Sequence, residues 1–372
     1  MKNKNLSRRK FIGKSIVTTA AVASFPIGAF AGEINSKAQV GNTPFTFSKK
    51  TKELLKLLNI EYPIIQAPTA GAVTTELVSS VANSGALGGL PLTWTSPKNT
   101  HKRIKAIQKA TQGSFYANFV LQFEPVVLEK AIEAGIKIVQ FSWGIPSKDV
   151  VVKIKNAGIV LGIQVTSEGS AKAAIDAGAD YLVCQGTEAG GHVHASRPLA
   201  KALERVLKVA ENIPVVASGG IATGKDIRKY MELGAAGVVM GSRFVATKES
   251  GAHPEYKNAL VKSTADDTVF TVCLNKGWGN ATHRIIRNKT FEMWEAAGCP
   301  PEGKKPGEED ILVTFKESDE KVIRYQSHVP NTDMEGKVTE IGMYAGEGVG
   351  HITDIPSVDE VIKRLWKEFQ ES

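Results

Sequence analysis

From Ile60 to about Phe244 the chain alternates short β-rich runs with amphipathic stretches, and it does so eight times. The runs are Tyr62–Ala67, Ala86–Leu90, Phe115–Leu121, Lys137–Phe141, Ile159–Val165, Tyr181–Cys184, Val215–Ala217 and Gly237–Met240. Between them lie Glu76–Asn83, Lys98–Lys109, Val126–Ala134, Lys148–Asn156, Ser170–Ala177, Leu199–Ala210 and Lys225–Glu232. Several of these stretches stop at a glycine (Gly85, Gly135, Gly158, Gly178, Gly234), the residue that takes the left-handed helix cap without steric cost. Apolar strands regularly followed by helices predict a parallel sheet covered by helices. Eight such units predict an α/β fold closed into a (β/α)8 TIM barrel. The competing architecture is an open doubly wound sheet. The count of eight disfavours it. So does the first turn, which reads Ala67-Pro68-Thr69-Ala70-Gly71 rather than G-x-G-x-x-G.

Residues 250–372 break the alternation. Ile311–Phe315 and Lys321–Tyr325 read as a hairpin around Ser318-Asp319, while Thr290–Ala297 and Val358–Phe369 read as helices. The expected organisation is a barrel over residues 51–250. Residues 251–372 then supply the last barrel helix and a smaller C-terminal α+β subdomain covering the barrel mouth.

The N-terminus reads as an address. Residues 1–31 hold a basic segment, an apolar stretch from Ile16 to Phe25 and the small-x-small sequence Ala29-Phe30-Ala31 before Gly32, as in an export signal. Ser7-Arg8-Arg9-Lys10-Phe11-Ile12 resembles the twin-arginine export motif. That resemblance implies passage of a folded protein, with any cofactor already in place, through the twin-arginine machinery to the periplasm or beyond. The apolar stretch is far shorter than the ~20 residues of a spanning helix, so no permanent membrane anchor is expected. Residues 32–50 have no periodicity and read as a linker.

With 372 residues, 42% hydrophobic and 23% charged, the rest is long enough for a large folded core. The net charge of +8 includes six cations of the N-terminal segment, which leave +2 for the remainder; nucleic acid is therefore not an expected partner. The cysteines, Cys184, Cys273 and Cys299, form no C-x-x-C pair, so no zinc site is expected. A Cys273–Cys299 bridge is conceivable but has nothing in the sequence to support it. Cys184 sits among apolar residues of the sixth run and reads as a small buried hydrophobe.

In such barrels the site forms at the C-terminal ends of the strands. There the sequence places Gln66-Ala67-Pro68-Thr69, Asn118, Gln164, Gln185, Gly190-Gly191-His192, Ser218-Gly219-Gly220 and Gly241-Ser242. Glycines after the seventh and eighth strands expose backbone N–H groups at the positions where barrels of this type bind phosphate. The bland reading is a pair of tight turns. The amides Asn118, Gln164 and Gln185 would suit a planar heterocycle such as a flavin, or else hydrogen bonds inside the core. His192, cushioned by glycines, brings a base that titrates near neutral pH. Its alternative role is a structural cap on the following helix. His194 could face the same mouth, whereas His101, His253, His283, His328 and His351 read as surface or packing residues. Arg284 and Arg287 could reach an acidic substrate group, but read more simply as a solvated helix face.

Three motifs in order resemble the nitronate monooxygenase (2-nitropropane dioxygenase) family, which includes enoyl-ACP reductase II. They are Gln66-Ala-Pro-Thr-Ala-Gly, Gln185-Gly-Thr-Glu-Ala-Gly-Gly-His192, and Pro214-Val-Val-Ala-Ser-Gly-Gly-Ile with Gly237-Val-Val-Met-Gly-Ser-Arg-Phe. The late segment Tyr344-Ala-Gly-Glu-Gly-Val-Gly is similar to the family's C-terminal pattern. The resemblance covers roughly residues 55–365 and implies an FMN-containing barrel that oxidises nitronates or nitroalkanes with dioxygen. It implies that Ala67, Pro68 and Thr69 line the flavin and that Asn118, Gln164 and Gln185 hydrogen-bond it. Gly190 would lie against it, Gly219, Gly220, Gly241 and Ser242 would hold its phosphate, and His192 would be the catalytic histidine. Thr69 stands where the family usually has methionine, and Val193-His194 where it has Arg-Gly, so the substrate is in question more than the cofactor. The rival functions are an NAD(P)H-dependent flavin reductase acting on enoyl thioesters or quinones, and a non-catalytic phosphate- or nucleotide-binding barrel. A nucleotide dehydrogenase barrel fits poorly, because those enzymes use a loop cysteine.

Overall fold

Parallel strands β1 (Ile64–Gln66), β2 (Gly88–Pro91), β3 (Phe115–Val120), β4 (Ile138–Ser142), β5 (Val160–Val165) and β6 (Tyr181–Gln185) follow one another around a barrel in a computed structural model that describes residues 45–372. A two-residue strand, β7 (Gly191–His192), then leaves the barrel, which is completed by β8 (Val215–Ser218) and β9 (Gly237–Met240). Every neighbouring pair is parallel, and β9 returns to β1 with Gln66 opposite Met240. The seam between β1 and β2 is closed by a parallel bridge, Ile65 to Leu87, with Gln66 donating its N–H to the Leu87 carbonyl at 2.9 Å. The (β/α)8 barrel expected from the alternation is the fold observed. The expected signal, residues 1–31, and most of the expected linker lie outside the described residues.

Local chemistry sets the element boundaries. Ser48, Thr74, Ser96, Ser147, Ser167 and Thr223 each cap a helix by accepting a backbone N–H in its first turn. The five glycines read as helix stops all have positive φ, from 65° to 102°. The third stretch is shorter than expected: the helix is Leu128–Glu133, and Val126 stands 70% exposed before it. Strands β3 to β6 are buried on both faces, as a parallel sheet covered by helices requires.

Two apolar layers hold the barrel. The outer one joins strands to helices, with Leu77, Ile104, Ile154, Leu203 and Ile227 facing the sheet. The inner one fills the end of the barrel away from the site. There Leu54 and Leu58, from the helix Lys49–Leu58, pack with Tyr116, Tyr181 and Val216 and stopper the cylinder. The last residues of the expected linker are therefore structured. Phe45 and Phe47 also pack against Phe369 and Trp366 of the helix Val358–Glu371.

That C-terminal helix packs between the helices Gly224–Glu232 and Thr75–Asn83 and takes the eighth helical place around the barrel. The intervening residues form two small sheets. In one, β10 (Thr268–Thr271) pairs with β11 (His283–Ile286), which pairs with β7. In the other, β12 (Ile311–Phe315) lies between β13 (Lys321–Ile323) and β14 (Met334–Gly336). The hairpin expected around Ser318-Asp319 is present, and the helix expected over Thr290–Ala297 spans Lys289–Ala296. All three cysteines are free, so the bridge between Cys273 and Cys299 is absent. Cys184 is fully buried, and burial pushes its thiol up to about 12. Among the described residues no helix is long and apolar enough to cross a membrane.

Candidate active site

A cavity of about 650 Å³ opens at the C-terminal ends of the barrel strands, within the range of small-molecule and cofactor sites. Its walls include each of the twelve residues singled out from the sequence, from Ala67, Pro68 and Thr69 on the first loop to Gly241 and Ser242 after β9. Four buried polar atoms with no hydrogen-bond partner belong to residues lining it: Nε2 of Gln164, Nε2 of His192, Nδ1 of His328 and Oη of Tyr344. Buried polar groups are rarely left unpaired. That four such residues line one cavity marks it as a place for a polar ligand.

The amides divide by role. Gln164 on β5 leaves its donor unpaired. Asn118 on β3 donates to the Gln140 carbonyl at 3.1 Å, which leaves its oxygen to accept. Gln140, which sequence reasoning missed, also lines the cavity, and its side-chain oxygen accepts from the Tyr181 hydroxyl at 3.1 Å. Gln185 is committed elsewhere. Its Nε2 donates to the His192 carbonyl at 3.3 Å and its Oε1 accepts the His194 N–H at 2.8 Å. Its side chain thus holds backbone on either side of Val193.

The glycines are required by close approach as much as by turns. A Cβ on Gly190 would sit 2.3 Å from the Gly346 nitrogen, so only glycine lets β7 pass that backbone. Gly219 and Gly220 have φ of +130° and +68°. No turn, loop or side-chain acceptor among the described residues takes the N–H of Gly219, Gly220, Gly241 or Ser242. These donors are available to an anion at the strand ends.

His192 is held by strand pairing. It lies opposite His283 in the β7–β11 ladder, with the rings 5.5 Å apart. The following helix, Leu199–Ala210, is capped by Glu188, whose carboxylate accepts the Leu199 N–H at 2.8 Å. The capping role considered for His192 is thus filled by another residue. Burial, and secondarily His283, lowers the His192 pKa from 6.5 to about 3, so the imidazole is neutral at ordinary pH. His283 is fully buried and its tautomer is fixed: Nδ1–H donates to the Ala281 carbonyl at 2.9 Å and Nε2 accepts the Leu274 N–H at 3.1 Å. Burial lowers its pKa to about 4.

Several expectations change here. Arg284 is on strand β11 rather than a helix face, and it is buried. It bonds the Thr187 carbonyl and pairs with Glu347 at 2.8 Å. Arg287 pairs with Glu295 at 2.7 Å. His328, read as surface or packing, lines the cavity. His194 is exposed and stacks on Trp143 with ring centroids 4.8 Å apart. Tyr344 had been noted only as part of a motif. Its buried hydroxyl is held well above its ordinary pKa and so keeps its proton.

The family model for nitronate monooxygenase matches residues 51–130 and 123–368. The chain belongs to the nitronate monooxygenase family. A relative from Staphylococcus saprophyticus named "Probable nitronate monooxygenase" is 34% identical over 269 residues, 60% of this chain and 76% of its own length. One of the same name from Staphylococcus aureus is 31% identical over 284 residues, 64% of this chain and 79% of its own. Among solved structures, FabK from Thermotoga maritima is 29% identical with a TM-score of 0.70, covering 86% of this chain and 96% of that one. A nitroalkane oxidase from Streptomyces ansochromogenes shares the fold, with 22% identity, a TM-score of 0.69, and coverage of 86% and 98%. This nitronate monooxygenase family member is an oxidoreductase, and the enzymes of its family are flavin-dependent.

Proposed function

We propose that the chain binds FMN and oxidises nitronates or nitroalkanes with dioxygen. The observation that carries this reading is the cavity with its unpartnered Gln164, His192, His328 and Tyr344 atoms, whose lining among the described residues includes no carboxylate. FMN, when bound, supplies the acceptor for the substrate's electrons and the donor to dioxygen. The residues fit such a group. Ala67, Pro68 and Thr69 would flank its ring, Asn118 and Gln164 would hydrogen-bond it, and the free N–H groups of Gly219, Gly220, Gly241 and Ser242 would hold its phosphate.

His192 acts as the base. With its ring proton on Nδ1, Nε2 offers a lone pair to the acidic hydrogen on the carbon beside the nitro group. Burial keeps the imidazole in the form that accepts a proton, so it is neutral before turnover rather than a standing imidazolium. The Tyr344 hydroxyl, whose ring lies 5.5 Å from that of His192, donates to a nitro oxygen. Residues 1–31 direct export through the twin-arginine pathway, which fits a reaction that needs only substrate and oxygen.

The test is an absorbance spectrum of the purified mature protein, followed by anaerobic addition of a nitronate and, separately, of NADH. The expected result is a flavin spectrum that bleaches with nitronate and not with NADH. Fast bleaching by NADH alone would establish a reductase instead. Colourless protein unable to take up FMN would leave a binding barrel.

A further inference from the structure

Four aromatic side chains line the cavity without a part in the chemistry above: Trp94, Phe123, Trp143 and Trp278. They touch in series. Trp94 meets Phe123 at 5.4 Å between ring centroids, Phe123 meets Trp278 at 5.4 Å, and Trp278 meets Trp143 at 4.9 Å. The series ends on the base: Trp278 lies over His192 at 4.1 Å with the ring planes 24° apart. Three of the rings come from the loops after β2, β3 and β4, and the fourth from the segment between β10 and β11.

Two features of this wall are costly for a protein with nothing to bind there. Trp94 is 57% exposed, leaving a large apolar ring in water at the outer end. Trp143 has φ of 62°, the left-handed region that a bulky side chain rarely occupies, and strain of this kind persists where the surroundings impose it, commonly at ligand sites. Charge narrows the occupant further. Among the described residues, Lys276 is the one that brings a full charge to the lining, and its Nζ pairs with Glu309 at 2.8 Å. The lining thus offers flat apolar faces outside and unpaired donors within.

We infer that this chain selects substrates in which the anionic planar head group at His192 carries a flat aromatic body, held against Trp94, Phe123 and Trp278. The head group rests on the nitronate reading; the aromatic body rests on the wall alone. Two well-placed ring contacts give a preference of about tenfold.

The FMN-loaded protein is assayed with the nitronates of phenylnitromethane and 1-nitrohexane. The expected kcat/KM ratio favours the aryl substrate by about tenfold, and Trp94→Ala cuts it to about threefold. In parallel, binding of phenylacetate and hexanoate, unreactive two-oxygen anions, is measured by calorimetry. Phenylacetate binds about tenfold tighter, and Trp94→Ala cuts the difference to about threefold. Equal binding of the two anions, or an aryl preference undiminished in Trp94→Ala, overturns the inference. If no nitronate is turned over, the nitronate reading fails while the binding pair still decides the aromatic one.

Discussion

Gln185 grips the strand that carries His192: one end of its amide donates to the His192 carbonyl and the other accepts the His194 N–H, at 3.3 and 2.8 Å. The amide sits at the end of the buried strand β6, so the barrel wall sets the height of the base above the cavity floor. A sub-ångström shift of a reacting group is enough to change a rate, which makes Gln185 a positioning residue.

Replacing Gln185 by Met keeps its length and removes both bonds. The two bonds are only partly buried, so their loss costs about 1–2 kcal/mol, and kcat should fall about tenfold with KM little changed. Steady-state kinetics beside a thermal melt checks this; wild-type kcat in a stable Gln185→Met protein would remove the residue from positioning.

His192→Asn should leave the flavin spectrum intact while turnover of neutral nitroalkane drops by about two orders of magnitude. The preformed nitronate needs no proton removed, so its rate should fall far less. Comparison of the two substrates in one variant isolates the proton step from damage to the cavity.

The pH profile should lack the inflection near 6.5 expected of an ordinary histidine. His192 has a folded pKa lowered from 6.5 to about 3, so its base form persists as pH falls through the ordinary range and is lost only near the lowered value. Between pH 8 and 5, kcat/KM for neutral nitroalkane should stay flat. An acid limb centred at 6 to 7 that vanishes in His192→Asn would show that the imidazole is more hydrated than its surroundings imply.

Leu54, fully buried in the stopper at the closed end, tests the lower layer. Leu54→Ala should cost about 2–5 kcal/mol in urea unfolding, with flavin binding retained at 25 °C because the cavity lies at the opposite end. A loss below 1 kcal/mol would mean that the helix Lys49–Leu58 is an ornament.

The barrel was legible because its signals are local. Strand runs and stop glycines declare themselves within a dozen residues, and His192 stood out because Gly190 and Gly191 precede it directly. The other side of the cavity was illegible for the opposite reason. Trp278, His328 and Tyr344 come from loops and short strands with no period, and only the folding of residues 246–357 over the strand ends brings them to His192. Arg284 looked like a helix face because charge spacing cannot distinguish a solvated helix from a strand whose guanidinium meets a carbonyl and a carboxylate. For Gln185 the residue was found but not its bonds to the backbone on either side of Val193, since a sequence does not show which backbone atoms compete for an amide.

The placing of the helix Val358–Glu371 beside the helices Gly224–Glu232 and Thr75–Asn83 has a consequence for how the molecule is made. A chain that has not yet made this helix lacks the stave that joins its first and last barrel units. Phe45 and Phe47 wait for Trp366 and Phe369, which follow far along the chain. The cylinder is hooped only when that helix has been made.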